Sequence, residues 1–403
     1  MPPPNYVYIR KPSQNLSLRE KGITDIDGEP SINDPQEYFD GLVHALQDEK
    51  VSLSLTGGYD SRTLFANLYK RIPLKIFFST NLPLEQDIEA QAGQKVADAA
   101  GLPYTIYKTD KPQISEEFLR ELIEDQDGDC LQAIEGETRI HNFRQKLMKE
   151  GCTLQISGDG GVLHKDWEWM QDLPFYHKKH TDLKRFYWQR IAYECDSKSL
   201  GRELAELYRT QEQRFIDQMK PYVKSINTQS YDTLYYDVST VRPALYNVRR
   251  DGYIAYAPMD ELETVKYSYH LPRGTRFFYN FLRKLTTNAS PEVARIPTNY
   301  GTTASSETRY IVRDVFFQLL DYARKAGRML GRKFFRRTFF VGRNSTIWSM
   351  EKDLRALPAA AEAVKWAVSK SWLSDSANVN NLKYPQLLGV VYLYLMSREY
   401  AIN

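Results

Sequence analysis

The chain has 403 residues, 42% hydrophobic and 26% charged, with a formal net charge of +3. That is long enough to bury a large core in two or three domains, and the composition is that of an ordinary globular protein. Cys130, Cys152 and Cys195 are widely spaced, without a CxxC pair or a disulfide framework, which sets sulfur-bound metal aside and favours a reducing compartment.

Residues 1–34 are rich in Pro, Asn and Asp without periodicity and read as an N-terminal arm. The start, MPPPNYVYIRKPS, has no apolar core of signal-peptide length. The longest apolar run, Leu387 to Met396, is too short to span a bilayer, so a cytoplasmic protein is expected. From Pro35 the pattern becomes α/β. A helix at Gln36–Leu46 precedes a strand at Val51–Leu55, then a helix at Ser61–Lys70 and a strand at Leu74–Phe78. Ile88, Ala92, Val96 and Ala99/Ala100 mark one face of a helix ended by Gly101 and Pro103, and short strands follow at Tyr104–Tyr107 and Thr153–Ile156. This alternation implies an α/β fold with a doubly wound parallel sheet, whose ligands sit at the carboxyl ends of the strands. After Gly161 strand signals fade, and 182–224, 228–250 and 310–400 look helical.

Two glycine turns carry the chemistry. In VSLSLTGGYDSRTLF (51–65) a strand runs through Leu55 into Thr56-Gly57-Gly58, and Asp60-Ser61 open a helix. Strand, glycine turn and helix start let main-chain N–H groups and the helix dipole meet a phosphate. The hydroxyls of Thr56 and Ser61 add donors, while Asp60, of the wrong sign for phosphate, suits Mg²⁺. The spacing is not GxxxxGK[ST]. The second turn, Ser157-Gly158-Asp159-Gly160-Gly161, follows the strand TLQI, 101 residues after the first.

TGGYDS resembles the SGGxDS pyrophosphate loop of the PP-loop ATP pyrophosphatases. SGDGG resembles the SG[DE]G[AG]DE motif of their asparagine synthase-like branch. APMDELETVKYSYHLP (257–272) and the stretch from Arg283 through SPEVARIP are similar to two later segments of that branch, so the likeness runs in order from about Pro35 to Ile296. It implies a Rossmann-like, adenine nucleotide alpha hydrolase-like core at about 35–170, with extensive helical elaboration at about 171–403. It also implies ATP and Mg²⁺ as cofactors. Leu55, Thr56, Gly57, Gly58, Asp60, Ser61, Ser157, Gly158, Asp159 and Gly160 would line the nucleotide, Phe78 and Ser79 would meet the adenine, and Asp60 and Asp159 would hold the metal.

By the same resemblance, a substrate carboxylate attacks the α-phosphorus, pyrophosphate leaves, and ammonia or an amine displaces AMP to give an amide. The chain departs from the pattern in three places. Val162 and Leu163 stand where the branch has an acidic pair, with Asp166 a weaker substitute for the metal. Tyr279 stands where it has a catalytic lysine, with Arg276, Lys284 and Lys165 as other sources of positive charge. Pro2 follows Met1 where the resemblance places a glutaminase cysteine, so glutamine hydrolysis by that route is not expected, and nitrogen is expected from ammonia, a separate glutaminase or an amine substrate. Catalysis is assigned to Asp60, Tyr279 and Arg276. His164 reads as a nearby polar residue, and Asp251 and Asp260 with Arg242, Arg249 and Arg250 as structural ion pairs near an acceptor pocket.

The reading is therefore an amide ligase acting on a small-molecule, sugar or peptide carboxylate in polysaccharide or natural-product biosynthesis. A lasso-type macrolactam cyclase, a tRNA-modifying enzyme and a degenerate nucleotide-binding subunit are the alternatives, and nucleic acid is not the expected partner. Residues 321–343 hold eight Lys/Arg against one acid, Asp321, with Phe334, Phe335, Phe339 and Phe340 interleaved. Such a stripe suits an anionic surface.

Overall fold

The structure, a computed structural model, describes residues 6–9, 17–20, 29–80, 82–108, 113–125, 146–165, 182–192, 195–221, 234–235, 254–330 and 345–399. The chain divides into two compact units. One comprises Met1–Thr109, Phe143–Lys179 and Ser225–Val341; the other comprises Asp110–Asn142, His180–Lys224 and Gly342–Asn403.

In the first unit, Tyr6–Ile9 (β1) pairs antiparallel with Ser17–Glu20 (β2). The arm expected from sequence thus contains a strand pair, and four residues per strand are too few for alternation to register. Val51–Ser54 (β3), Leu74–Thr80 (β4), Tyr104–Lys108 (β5), Leu154–Ile156 (β6) and Ile254–Tyr256 (β7) form a sheet in the order β5-β4-β3-β6-β7. Every neighbouring pair is parallel. β7 is a strand that sequence periodicity misses, being three residues between Gly252 and Pro258.

The chain winds outward from β3 through β4 to β5, then returns to the other flank of β3 for β6 and β7. The carboxyl ends of β3 and β6 therefore form the point where the winding reverses, and crevices in parallel sheets open there. β3 is suited to this central position because Val51, Ser52 and Leu53 are all buried.

Pro35–Leu46 (α1) starts on an Asp34 cap that accepts from the Gln36 amide at 2.8 Å. Asp60–Leu68 (α2) is buried along Ser61 to Leu68. Ile88–Ala99 (α3) is capped by Asp87 and ends where Gly101, at φ +69°, lets the Leu102 amide reach Ala97 O at 3.0 Å. Leu53, Leu55, Leu64, Phe65, Ile76, Val96, Ile156 and Leu282 share this unit's core. Among the described residues its other α-helices are Leu262–His270, Asn280–Ala289, Pro291–Arg295 and Thr308–Leu330.

The second unit is helical, with Glu116–Asp125, Arg202–Met219, Ser345–Ala356, Pro358–Ser369 and Tyr384–Glu399. Leaving the one-turn helix Leu183–Phe186 unnumbered, the described α-helices after α3 are, in chain order, α4 (116–125), α5 (202–219), α6 (262–270), α7 (280–289), α8 (291–295), α9 (308–330), α10 (345–356), α11 (358–369) and α12 (384–399). Ala359, Ala360, Ala363 and Ala367 of α11 join Leu387, Val391 and Leu395 of α12 in a separate core. The helical stretch expected over 310–400 is broken at Pro358 and again at Ser371, where φ is +57°. Of the stretch expected over 228–250, only 234–235 lie within the described residues.

Candidate active site

The first turn is held from both sides. The Leu55 amide donates to Phe77 O at 2.9 Å, and Leu55 O accepts from the Tyr104 hydroxyl of β5 at 2.8 Å. This bond exists because residue 93 is glycine: a Cβ there would come 2.7 Å from Leu55 O and 2.9 Å from Cζ of Tyr104. Beyond Leu55, the Thr56 amide donates to Ser61 Oγ at 3.0 Å, the two hydroxyls sit 3.0 Å apart, and the Gly58 amide donates to Thr56 Oγ1 at 3.3 Å. The hydroxyls expected to meet phosphate also close the turn. No side chain caps α2, so its first N–H groups remain the donors that a helix start offers to an anion.

The segment after α8 braces the turn from beneath. Asn299 donates its amide to Gly57 O at 3.1 Å and its side chain to Glu89 at 3.1 Å. The guanidinium of Arg62 donates to the carbonyls of Ile296, Pro297 and Gly57. Arg62 is fully buried, and burial pushes its pKa down to about 10. Nothing in sequence marked Arg62 or Asn299, because the contacts of Arg62 with Ile296 and Pro297 and those of Asn299 with Gly57 and Glu89 each span more than 200 residues.

The second turn leaves β6, where the Ser157 amide donates to Tyr256 O of β7 at 2.9 Å. Its glycines fit against the first turn. A Cβ on Gly158 would lie 2.9 Å from the Ser61 amide nitrogen, and one on Gly161 would lie 2.6 Å from Asp60 Cβ and overlap the carboxyl group. Gly160, at φ +78°, leaves no room for a side chain against the Asp260 amide nitrogen at 2.7 Å. The two turns thus meet at Asp60.

Asp60 receives Lys165 Nζ at 2.6 Å on Oδ2, in a pair whose side chains are only 24% and 12% exposed. Its Oδ1 is buried without a hydrogen-bond partner. Lys165 Nζ also lies 5.7 Å from the ring centroid of Tyr279, and Tyr279 stacks on Tyr59 at 4.4 Å. Phe278 and Tyr279 both take left-handed conformations, with φ of +53° and +59°. For aromatic residues this costs free energy and persists only where the surroundings enforce it.

Arg283 supplies that enforcement. It is 2% exposed and donates to Phe278 O at 2.9 Å, to Ser305 O at 3.0 Å, to the Tyr59 hydroxyl at 3.1 Å and to Asp314 at 2.9 Å. Burial opposes ionisation of Asp314, yet the Thr303 amide and hydroxyl with Arg313 and Arg283 hold its pKa below the usual carboxylate value. Burial also pushes the Tyr59 hydroxyl up to about 12.

Thr56, Gly57, Gly58, Asp60, Ser61, Gly158 and Gly160 therefore come together, with Tyr279 joined to them through Tyr59 and Lys165. Asp159 is exposed and accepts from Ser157 Oγ at 2.6 Å. Among the described residues no group of three or more His, Cys, Asp or Glu is gathered to hold a metal. Magnesium does not need one, since it commonly keeps waters and phosphate oxygens beside one or two carboxylates, and the orphaned Oδ1 of Asp60 fits that requirement.

Phe78 and Ser79 sit half-buried at the carboxyl end of β4, opposite Ile106 and Tyr107. Arg276 is buried with its guanidinium 4.5 Å over the Tyr269 ring, and its charge reaches His164. Lys284 is exposed. His164 belongs to the core: its Nε2 donates to Met259 O at 2.9 Å, its ring stacks on Phe281, and burial pushes its pKa down to about 4. Asp166, Asp251, Arg242, Arg249, Arg250 and residues 331–343 of the basic stripe lie outside the described residues.

No protein-family model matches the chain, and no curated protein matches it significantly.

Proposed function

We propose that this chain is an ATP-dependent, AMP-forming amide ligase of the asparagine synthase-like kind, on a Rossmann-like nucleotide-binding core. One observation carries the reading. Two glycine turns from adjacent strands, 101 residues apart in sequence, close on the same carboxylate at the reversal point of a parallel sheet. A single glycine turn after a strand is common, but two that interlock around an acid and a helix start suit a nucleotide pyrophosphate.

In this reading the N–H groups at the start of α2 and the glycine amides face the phosphates, and Asp60 Oδ1 faces the metal. Magnesium, when bound there, would neutralise phosphate oxygens and draw electrons from the phosphorus. The substrate carboxylate attacks the α-phosphorus of ATP, pyrophosphate leaves, and an amine then displaces AMP. Lys165, at the edge of Asp60 and over the Tyr279 ring, contributes a fixed positive charge beside the developing negative one. The stack of Tyr279 on Tyr59, locked by Arg283, keeps that ammonium from swinging into solvent.

One observation favours a second reading, a subunit that binds nucleotide without turning it over. The turn Gly161–His164 buries Leu163 where the resemblance expects an acid, so it presents no second carboxylate. Pyrophosphate release over a panel of carboxylates with ammonia, beside Asp60→Ala, tests both. Carboxylate-dependent AMP and pyrophosphate, lost in Asp60→Ala, supports the ligase. ATP binding without turnover on any carboxylate supports the second reading, and ADP with orthophosphate refutes the proposed reaction.

A further inference from the structure

The outward side of α9 is apolar. Val312, Val315, Phe316, Leu319 and Leu320 are 69%, 36%, 62%, 54% and 39% exposed, and steps of three and four residues align them in one stripe. The inner side is anchored: Asp314 pairs with Arg283, Gln318 is buried, and the Tyr322 ring lies 5.7 Å from Phe278. The helix therefore cannot roll to hide the stripe. Single exposed leucines are ordinary, but a continuous stripe along about two and a half turns of helix marks a binding surface.

Charge decides the occupant. Arg309, Arg313 and Arg324 are exposed, the first two also paired with Glu307 and Asp314, and at 100° per residue they fall together along one flank of the stripe. In sequence the chain continues with Arg332, Lys333, Arg336 and Arg337. A second protein copy would have to bury or face this cationic edge, whereas a layer of anionic headgroups supplies its counter-charge. Spanning is not the arrangement, because among the described residues no helix is long and apolar enough to cross a membrane.

We propose that α9 docks the protein on an anionic bilayer surface, with Phe316 and Leu319 entering the acyl boundary and Arg309, Arg313 and Arg324 at the headgroups. The site would be held there with it. Gly301, in the segment that braces the first glycine turn, has room for a Cβ only 3.3 Å from the Phe317 ring of α9.

Co-sedimentation of the full chain with vesicles tests this independently of any catalytic activity. The wild type should bind vesicles containing about one-third phosphatidylglycerol and not pure phosphatidylcholine, with binding weakened by salt. Phe316→Ser with Leu319→Ser should lower the partition coefficient roughly ten-fold or more, and Arg324→Glu alone by a comparable factor. These positions are exposed, so the thermal melt should stay close to that of the wild type. The proposal is overturned if binding is absent, if it is equal on both vesicles, or if both variants bind like the wild type. It is also overturned by a wild-type dimer that the double variant converts to monomer.

Discussion

Gly161→Ala tests whether the two turns meet at Asp60. The added Cβ would stand 2.6 Å from Asp60 Cβ and overlap the carboxyl carbon, where carbon atoms ordinarily rest about 3.5–4.0 Å apart. Relief needs a shift of about 1 Å by either the turn or Asp60, and both are fixed: the turn by the Leu163 amide on Gly160 O, Asp60 by Lys165. Overpacking of this kind costs about 1–3 kcal/mol, and an Asp60 displaced by that distance would lose of the order of 100-fold in any rate it supports. Gly274→Ala is the control, since a Cβ there meets nothing within 4 Å. Its stability should stay within about 0.5 kcal/mol of the wild type. Urea denaturation read by circular dichroism gives the stabilities, and the thermal shift produced by ATP with magnesium reads the site. If Gly161→Ala matches Gly274→Ala in both measurements, the turns do not converge as described and the case for one site falls.

Two further outcomes follow from buried charge and buried histidine. With its pKa pushed down to about 4, mainly by burial, His164 stays neutral in the folded chain while the unfolded chain takes up a proton below about pH 6.5. Stability should therefore fall with pH through that window, by up to about 3 kcal/mol at pH 4. His164→Gln should flatten the slope relative to wild type, and identical slopes of urea midpoint against pH would exclude His164 as the source. Asp314→Ala strips the acceptor from buried Arg283 and from the Thr303 amide, and should cost about 3–5 kcal/mol in urea denaturation. Asp314→Leu combined with Arg283→Met should recover part of that loss, and additive costs would argue against coupling through this pair.

Local signals in the sequence delimit the first half of the fold closely. Val51–Ser54 and Asp60–Leu68 fall within a residue or two of their expected bounds, because a buried strand, a glycine pair and an apolar helix face are all written within fifteen consecutive residues. Asp34, Asp87 and Gly101 mark helix ends through interactions spanning only a few residues. What escapes is long-range. Arg62 reads as an ordinary surface arginine of a helix until the carbonyls of Ile296 and Pro297 are seen beneath it. Gly93 reads as a weak point in α3 until Tyr104 is found reaching past it to Leu55. β7 is invisible because its three residues matter only as partners of β6.

Position 279 shows how the same limit bears on the site. The resemblance expects a lysine there, and the sequence offers Tyr279 with three displaced cations and no way to rank them. Geometry ranks them: Lys284 is exposed, Arg276 rests on Tyr269 near His164, and Lys165 alone of the three is recorded both on Asp60 and over the Tyr279 ring. A cation thus reaches the aromatic face at position 279 from the turn after β6 and not from the start of α7. The left-handed backbone at Phe278 and Tyr279 is what turns that face toward Tyr59 and Lys165, and the four hydrogen bonds of Arg283 hold it. In the proposed reading, Lys165 supplies from the turn after β6 the positive charge that the resemblance assigns to position 279, and the strained pair keeps the Tyr279 ring beneath it.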